Sequence, residues 1–112
     1  GTATASGSTT SAISDRTSAS CGGSGPDRVY SFTVSGTRSF SVTLTPGSGF
    51  TTPVLALTGP SSTCSSATEL TCTGGNLSFG PISRSLSSGT YYLWVDGFSS
   101  SSGTYSFTAT LN

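Results

Sequence analysis

Large apolar side chains recur at every second position through residues 87–111, SSGTYYLWVDGFSSSSGTYSFTATL, first as Tyr91, Leu93 and Val95, then as Tyr105, Phe107, Ala109 and Leu111. A period of two lays each set along one face of a pleated strand, whereas a helical face repeats about every 3.6 residues. The same five residues, Ser-Ser-Gly-Thr-Tyr, launch both runs, at 87–91 and at 101–105. Asp96-Gly97 between them is a turn dipeptide: Gly takes positive φ without cost and Asp bonds its own backbone. The expectation is a β-hairpin of two neighbouring strands, with nothing in it that looks like a reaction centre.

The same period organises the rest of the chain. Tyr30, Phe32 and Val34 predict a strand over residues 27–34. After a turn at Gly36-Thr37, Phe40, Val42 and Leu44 alternate with Ser39, Ser41 and Thr43, as in a sheet wet on one side. Val54-Leu55-Ala56-Leu57 is apolar without alternation and predicts a strand covered on both faces or near a sandwich edge. Shorter strands are expected over residues 67–73, at Leu77 and Phe79, and over residues 82–86, with Gly/Pro loops between. No window has helical periodicity or a helix-forming composition. About eight short strands with turn signals between them predict an all-β fold, an antiparallel sandwich.

Composition decides what such a sandwich can meet. The chain has 112 residues, enough for one domain, and only 7% are charged; four Arg balance four acids, with no Lys, His or Met. Ser and Thr make up roughly two fifths of it. The regularly placed aromatics argue against disorder, which goes with high net charge and few aromatics. A neutral surface is kept in water by hydroxyls, or by glycans on them, or is meant to meet other surfaces. Scattered Arg make no phosphate-binding stripe, so nucleic acid is excluded as a partner. No run reaches the ~18 apolar residues of a membrane span, and without a leader-like segment the chain reads as mature or excised.

Histidine-dependent nucleophile arrangements are ruled out by composition, and three Cys without His do not complete an ordinary zinc shell. The four acids, Asp15, Asp27, Glu69 and Asp96, stand singly beside turns or strand ends, which argues against a glycosidase pair. Asp27 and Asp96, with Asp15, are the best carboxylates for calcium, which wants six to eight oxygens. The reading preferred over it is that each caps a turn through its own backbone, so no cofactor is expected. Cys64 and Cys72 bracket a short Ser/Thr-rich loop, and a disulfide between them would stabilise the fold by about 2–3 kcal/mol and point to an oxidising, extracellular compartment. Cys21 is left over, as a small buried thiol or a covalent link to another chain. Tyr92 and Trp94 point opposite to Leu93 and Val95. They either form an aromatic contact surface with Phe98 in the turn, or fill the core if both faces of the strand are covered. Phe98 and Phe50 fall in turns, where they would be exposed. Asn76-Leu77-Ser78 fits the N-glycosylation pattern.

Residues 1–26 have Ile13 as their one large aliphatic and read as an Ser/Thr/Gly-rich N-terminal arm ahead of a sandwich over residues 27–112. Residues 2–10, with Thr2, Ala3, Thr4 and Ala5, are β-prone, and the arm is expected to be held on its own domain or on a neighbour.

Several segments together resemble the bacterial pre-peptidase C-terminal (PPC) domain family. They are Gly25-Pro26-Asp27-Arg28-Val29-Tyr30-Ser31-Phe32, Pro53-Val54-Leu55-Ala56-Leu57, the stretch from Cys64 through Glu69-Leu70-Thr71-Cys72, and Gly89-Thr90-Tyr91-Tyr92-Leu93-Trp94-Val95-Asp96-Gly97-Phe98-Ser99 with Gly103-Thr104-Tyr105. The resemblance spans roughly residues 20–111. It implies a jelly-roll-like sandwich, secretion, and a non-catalytic role beside a protease or other secreted enzyme. Some relatives bind collagen and some bind calcium through acidic loops. Here Thr73-Gly74-Gly75-Asn76 stands where family members often carry acids, which argues against that calcium site. Two functions follow. One is a self-assembling fibre subunit whose arm adds a strand to the sheet edge of another copy. The other is an accessory module that binds an extracellular protein or polysaccharide surface.

Overall fold

The alternating segments fold into strands of two antiparallel sheets. A computed structural model describes residues 1–9, 28–47, 49–63, 68–74, 80–97 and 101–112. Among these are eight strands: β1 (Thr2–Ser8), β2 (Arg28–Val34), β3 (Arg38–Pro46), β4 (Pro53–Thr58), β5 (Glu69–Gly74), β6 (Ile82–Leu86), β7 (Gly89–Gly97) and β8 (Thr104–Leu111). One four-stranded sheet runs β1-β8-β3-β6 and the other β2-β7-β4-β5. Every sequential step except β4 to β5 changes sheet, the connectivity of a jelly-roll-like sandwich.

Period-two patterning puts one side of each strand into the space between the sheets. Phe40, Val42 and Leu44 of β3, Ile82 and Leu86 of β6, and Tyr105 and Phe107 of β8 face Val34, Leu55, Leu57, Tyr91, Leu93 and Val95 of the other sheet. Burying each such large side chain contributes roughly 1.5–3 kcal/mol. Phe32 stacks on Phe40 at 4.8 Å and on Tyr91 at 5.8 Å, and Tyr30 meets Phe107 edge-on at 4.9 Å. β4, for which the sequence left double covering or a sandwich edge, is buried along its whole length.

Two expectations are overturned. β7 and β8 do not form a hairpin, because they lie in different sheets. β7 is hydrogen-bonded to β2 on one edge and β4 on the other, so no edge remains for β8. Asp96 and Gly97 are the last two residues of β7, opposite Val54 and Pro53, rather than a turn. Gly97 is needed there for close approach: a Cβ would lie 1.8 Å from the Ser101 carbonyl oxygen, where the chain leaves for the other sheet. Likewise β2 and β3, separated by the Gly36 turn, belong to different sheets. The start of the N-terminal segment joins a sheet. Residues 2–8 form β1, in seven-residue register with β8 from Thr2↔Thr110 to Ser8↔Thr104. Thr9 then locks onto the start of β8: its N–H donates to the Gly103 carbonyl at 2.9 Å and the Gly103 N–H donates to its Oγ1 at 3.1 Å. Residues 1–9, the described part of the expected arm, lie on their own chain.

Candidate functional site

The outward side of β7 closes off one candidate. Tyr92 and Trp94 are buried, packed with Ala56 and Cys72 on the outer face of their sheet. Their polar atoms are satisfied inside the chain: Tyr92 Oη donates to the Ser61 carbonyl at 3.0 Å, and Trp94 Nε1 donates to Thr58 Oγ1 at 3.1 Å. For Tyr92 and Trp94 the aromatic contact surface is therefore corrected to core, because both faces of β7 are covered. Phe50 is also buried rather than exposed, against Gly103.

Asp96 is fully buried, and its Oδ1 accepts the Gly97 N–H at 2.7 Å; it has a further interaction besides. This bond to its own neighbouring backbone lies at the end of β7 rather than in the turn expected from sequence. The described residues contain no cluster of three or more His, Cys, Asp or Glu. Cys72 lies in β5 and is bonded rather than a free thiol. Cys64, Cys21, Asp15, Asp27, Ile13, Phe98, and the Asn76-Leu77-Ser78 site lie outside the described residues.

What the sandwich does offer is an asymmetry between its two sides. At one side, β5 and β6 are clasped across the sheets: Arg84 Nη1 donates to the Leu70 carbonyl at 2.9 Å and to Thr71 Oγ1 at 3.1 Å. At the other side stand β1 and β2, each the end strand of its sheet among the described residues. One end of that side is tied, since Arg28 Nε donates to the Ser8 carbonyl at 2.9 Å and the Tyr30 and Tyr105 hydroxyls bond at 2.5 Å. Burial pushes the Tyr105 hydroxyl above the usual tyrosine range; its hydrogen bond to Tyr30 and the Tyr30 charge push it further, and Arg28 pulls it back.

Beyond this tie the edges part over an apolar cleft of about 390 Å³. Its floor is Phe32, Phe40, Leu93 and Phe107, and its rim is β1 with Ala3 and Ala5. The volume falls within the ~300–1,000 Å³ of ordinary binding pockets. The inward register explains the space. Ala3, Ala5 and Gly7 stand opposite Ala109, Phe107 and Tyr105, so β1 presents only small groups to a wall of rings. Sequence reasoning missed the cleft because a Thr/Ala/Gly segment carries no apolar signal. The available clue was the alternation of Thr2, Thr4 and Ser6 with Ala3, Ala5 and Gly7.

The outer face of the β1 sheet is a second surface. Cross-strand register lines up Thr2, Thr110, Ser41 and Ser83, then Thr4, Thr108 and Thr43, then Ser6, Ser106 and Thr45. These side chains are hydroxyls without exception, almost all exposed, with no charge among them.

No protein-family model and no curated protein matches the sequence. Among solved structures, the chain is similar to Aeromonas hydrophila PliG, a periplasmic lysozyme inhibitor of g-type lysozyme, with TM-score 0.67, 14% identity, and coverage of 99% of this chain and 86% of that one. It is also similar to the pre-peptidase C-terminal domain of a collagenase from Bacillus anthracis, with TM-score 0.65, 18% identity, and coverage of 96% and 88%. No helix among the described residues is long and apolar enough to cross a membrane. The chain has a PPC-like fold, two antiparallel sheets in a β-sandwich.

Proposed function

We propose that this chain is a non-catalytic extracellular module that acts through intermolecular contacts, as a structural subunit in which copies join by exchanging β1. The observation that carries this is the place of β1: among the described residues it is the end strand of its sheet, paired with β8, with residues 10–27 between it and β2. A connection of that length reaches roughly 60 Å when extended, far enough to lay β1 on the β8 of another copy. The register that holds β1 within one chain serves equally between chains, which makes exchange a low-cost route to assembly. Zero net charge leaves little repulsion between copies. In an oxidising setting a Cys64–Cys72 disulfide would clip the segment before β5, and Cys21, in the segment that crosses between copies, would lock an exchanged pair.

Light scattering over a concentration series tests this. The expected result is oligomers that grow with concentration and that an excess of the peptide Thr-Ala-Thr-Ala-Ser-Gly-Ser suppresses by capping β8. A strict monomer at every concentration would sink the idea.

A second reading is favoured by the hydroxyl face and by the likeness to the pre-peptidase C-terminal domain of a collagenase. In it the chain is a module that holds a secreted hydrolase on a polysaccharide or protein surface through hydrogen bonds from those rows of Ser and Thr. Co-sedimentation with insoluble polysaccharide, unaffected by the capping peptide, would support it.

A further inference from the structure

We propose that the outer face of the β1-β8-β3-β6 sheet is an ice-binding surface, whose occupant is the prism face of an ice crystal met through water ordered on the Thr and Ser hydroxyls. This goes beyond strand exchange and rests on neither reading above.

The geometry of the face is a net. Outward side chains recur ~6.8 Å apart along a strand and ~4.8 Å apart between neighbouring strands. In-register pairing turns the two repeats into a rectangular array, with Thr2 and Thr4 on β1 beside Thr110 and Thr108 on β8, and Thr43 on β3 beside Thr108. The oxygens on a prism face of ice repeat on a rectangular net that agrees with these strand spacings to within about a tenth in each direction. Sheet twist turns successive strands out of one plane, so the match is best between immediate neighbours. β8, with hydroxylated strands on both sides, is therefore its centre.

Two further observations concern how such a face orders water. Six of the ten side chains in the three rows are Thr. Thr is branched at Cβ and stiff at χ1, so its hydroxyl and methyl keep fixed places. Between the ranks runs a trough of about 400 Å³, with Thr4 and Ser6 along one side and Ser106 and Thr108 along the other. A water seated there reaches hydroxyls of both strands, and a water with two to four polar partners is held in place.

Electrostatics and size select the occupant. None of those ten side chains is charged. Ice excludes ions from its lattice, so a neutral face of paired donors and acceptors complements it. At the strand spacings the rows cover roughly 300–400 Å². A standard protein interface takes about 800 Å² per partner, and it is centred on aromatic and Arg side chains that these rows lack. A dissolved sugar exchanges one hydroxyl bond for another made to water and gains little. A lattice holds its oxygens already in place and engages many hydroxyls at once.

Microscopy of single ice crystals grown slowly in a solution of the full chain tests this, with the share of chain taken into the ice measured alongside. The expected result is faceted hexagonal crystals in place of smooth discs, and enrichment of the chain in the ice. Thr108→Tyr sets a ring at the centre of the net and should abolish both effects, as should Thr43→Tyr one strand over. Thr33→Tyr, on the exposed side of β2 in the other sheet, should change neither. All three should keep Tm within about 2 °C of the parent, since the positions are exposed. Smooth discs with the parent chain, faceting that survives Thr108→Tyr and Thr43→Tyr, or equal loss in Thr33→Tyr would each overturn the inference. Polysaccharide co-sedimentation by a parent chain that leaves ice unfaceted would give the face to the second reading and overturn this one.

Discussion

Tyr105 shows how one residue can serve packing and polarity together. Its ring closes the core beneath Gly7, while its hydroxyl meets that of Tyr30 across the two sheets. The folded state raises its pKa, so the unfolded chain ionises first as pH climbs past about 10, the ordinary tyrosine value. More protons are then bound in the folded state than in the unfolded one, and stability falls with rising pH. The contribution is fully present at neutral pH and drains away in alkali. Tyr105→Phe should cost about 1 kcal/mol at neutral pH, the net worth of a hydrogen bond, and should flatten the alkaline loss. Urea melts of both proteins at pH 7 and pH 11 measure this; an equally steep alkaline loss in the variant would exclude Tyr105 as its source. The alternating sequence marked Tyr105 as inward. Its partnership with Tyr30, some 75 residues away, was not legible, because distant hydroxyls meet only once the sheets are stacked.

Among the elements, β1 and β7 mark the two extremes. β7 is paired on both edges and buried on both faces; β1 is paired on one edge and lies over a cleft. Local stability follows buried contact, so β1 should open far below the global unfolding free energy. Its restraint is Thr9, which is buried and exchanges hydrogen bonds with Gly103. Thr9→Val keeps the shape and removes the hydroxyl. Hydrogen exchange should then show β1 amides exchanging at least about ten-fold faster, about 1.4 kcal/mol, with β7 amides unmoved. Equal protection of β1 in both proteins would show that Thr9 is not its lock. The contrast also explains what the sequence could and could not tell. The duplicated Ser-Ser-Gly-Thr-Tyr launches announced two strands correctly, yet suggested they were neighbours. Which strand sits beside β7 depends on competition for its edges, and β2 and β4 fill them. β1 went unread as a strand of this sheet because its pairing comes from backbone bonds to β8, to which Thr, Ala and Ser side chains add little signal.

At the scale of the molecule, solubility without charge has a structural answer. The outer face of the β1 sheet carries Ser and Thr in register across four strands, so water is met by hydroxyls rather than by ions. Such a face is indifferent to salt and can hydrogen-bond to another hydroxylated surface. If it holds a polysaccharide, replacing Thr43 and Thr108 together by Asp should lower co-sedimentation several-fold. Tm should stay within about 2 °C, because exposed positions far from packing are worth little. Unchanged co-sedimentation would remove the face from consideration.

Period-two hydrophobicity, turn residues and the lack of any helical pattern were enough, by themselves, to determine an all-β sandwich and the inward set of β3, β7 and β8. These are local properties: a side chain's face follows from its place in the pleat. The tertiary structure alone decided which strands are neighbours, that Tyr92 and Trp94 are core, and that an apolar cleft opens beneath β1. Each of these depends on what covers a strand's edge or outer face, and the covering groups come from parts of the chain far away in sequence.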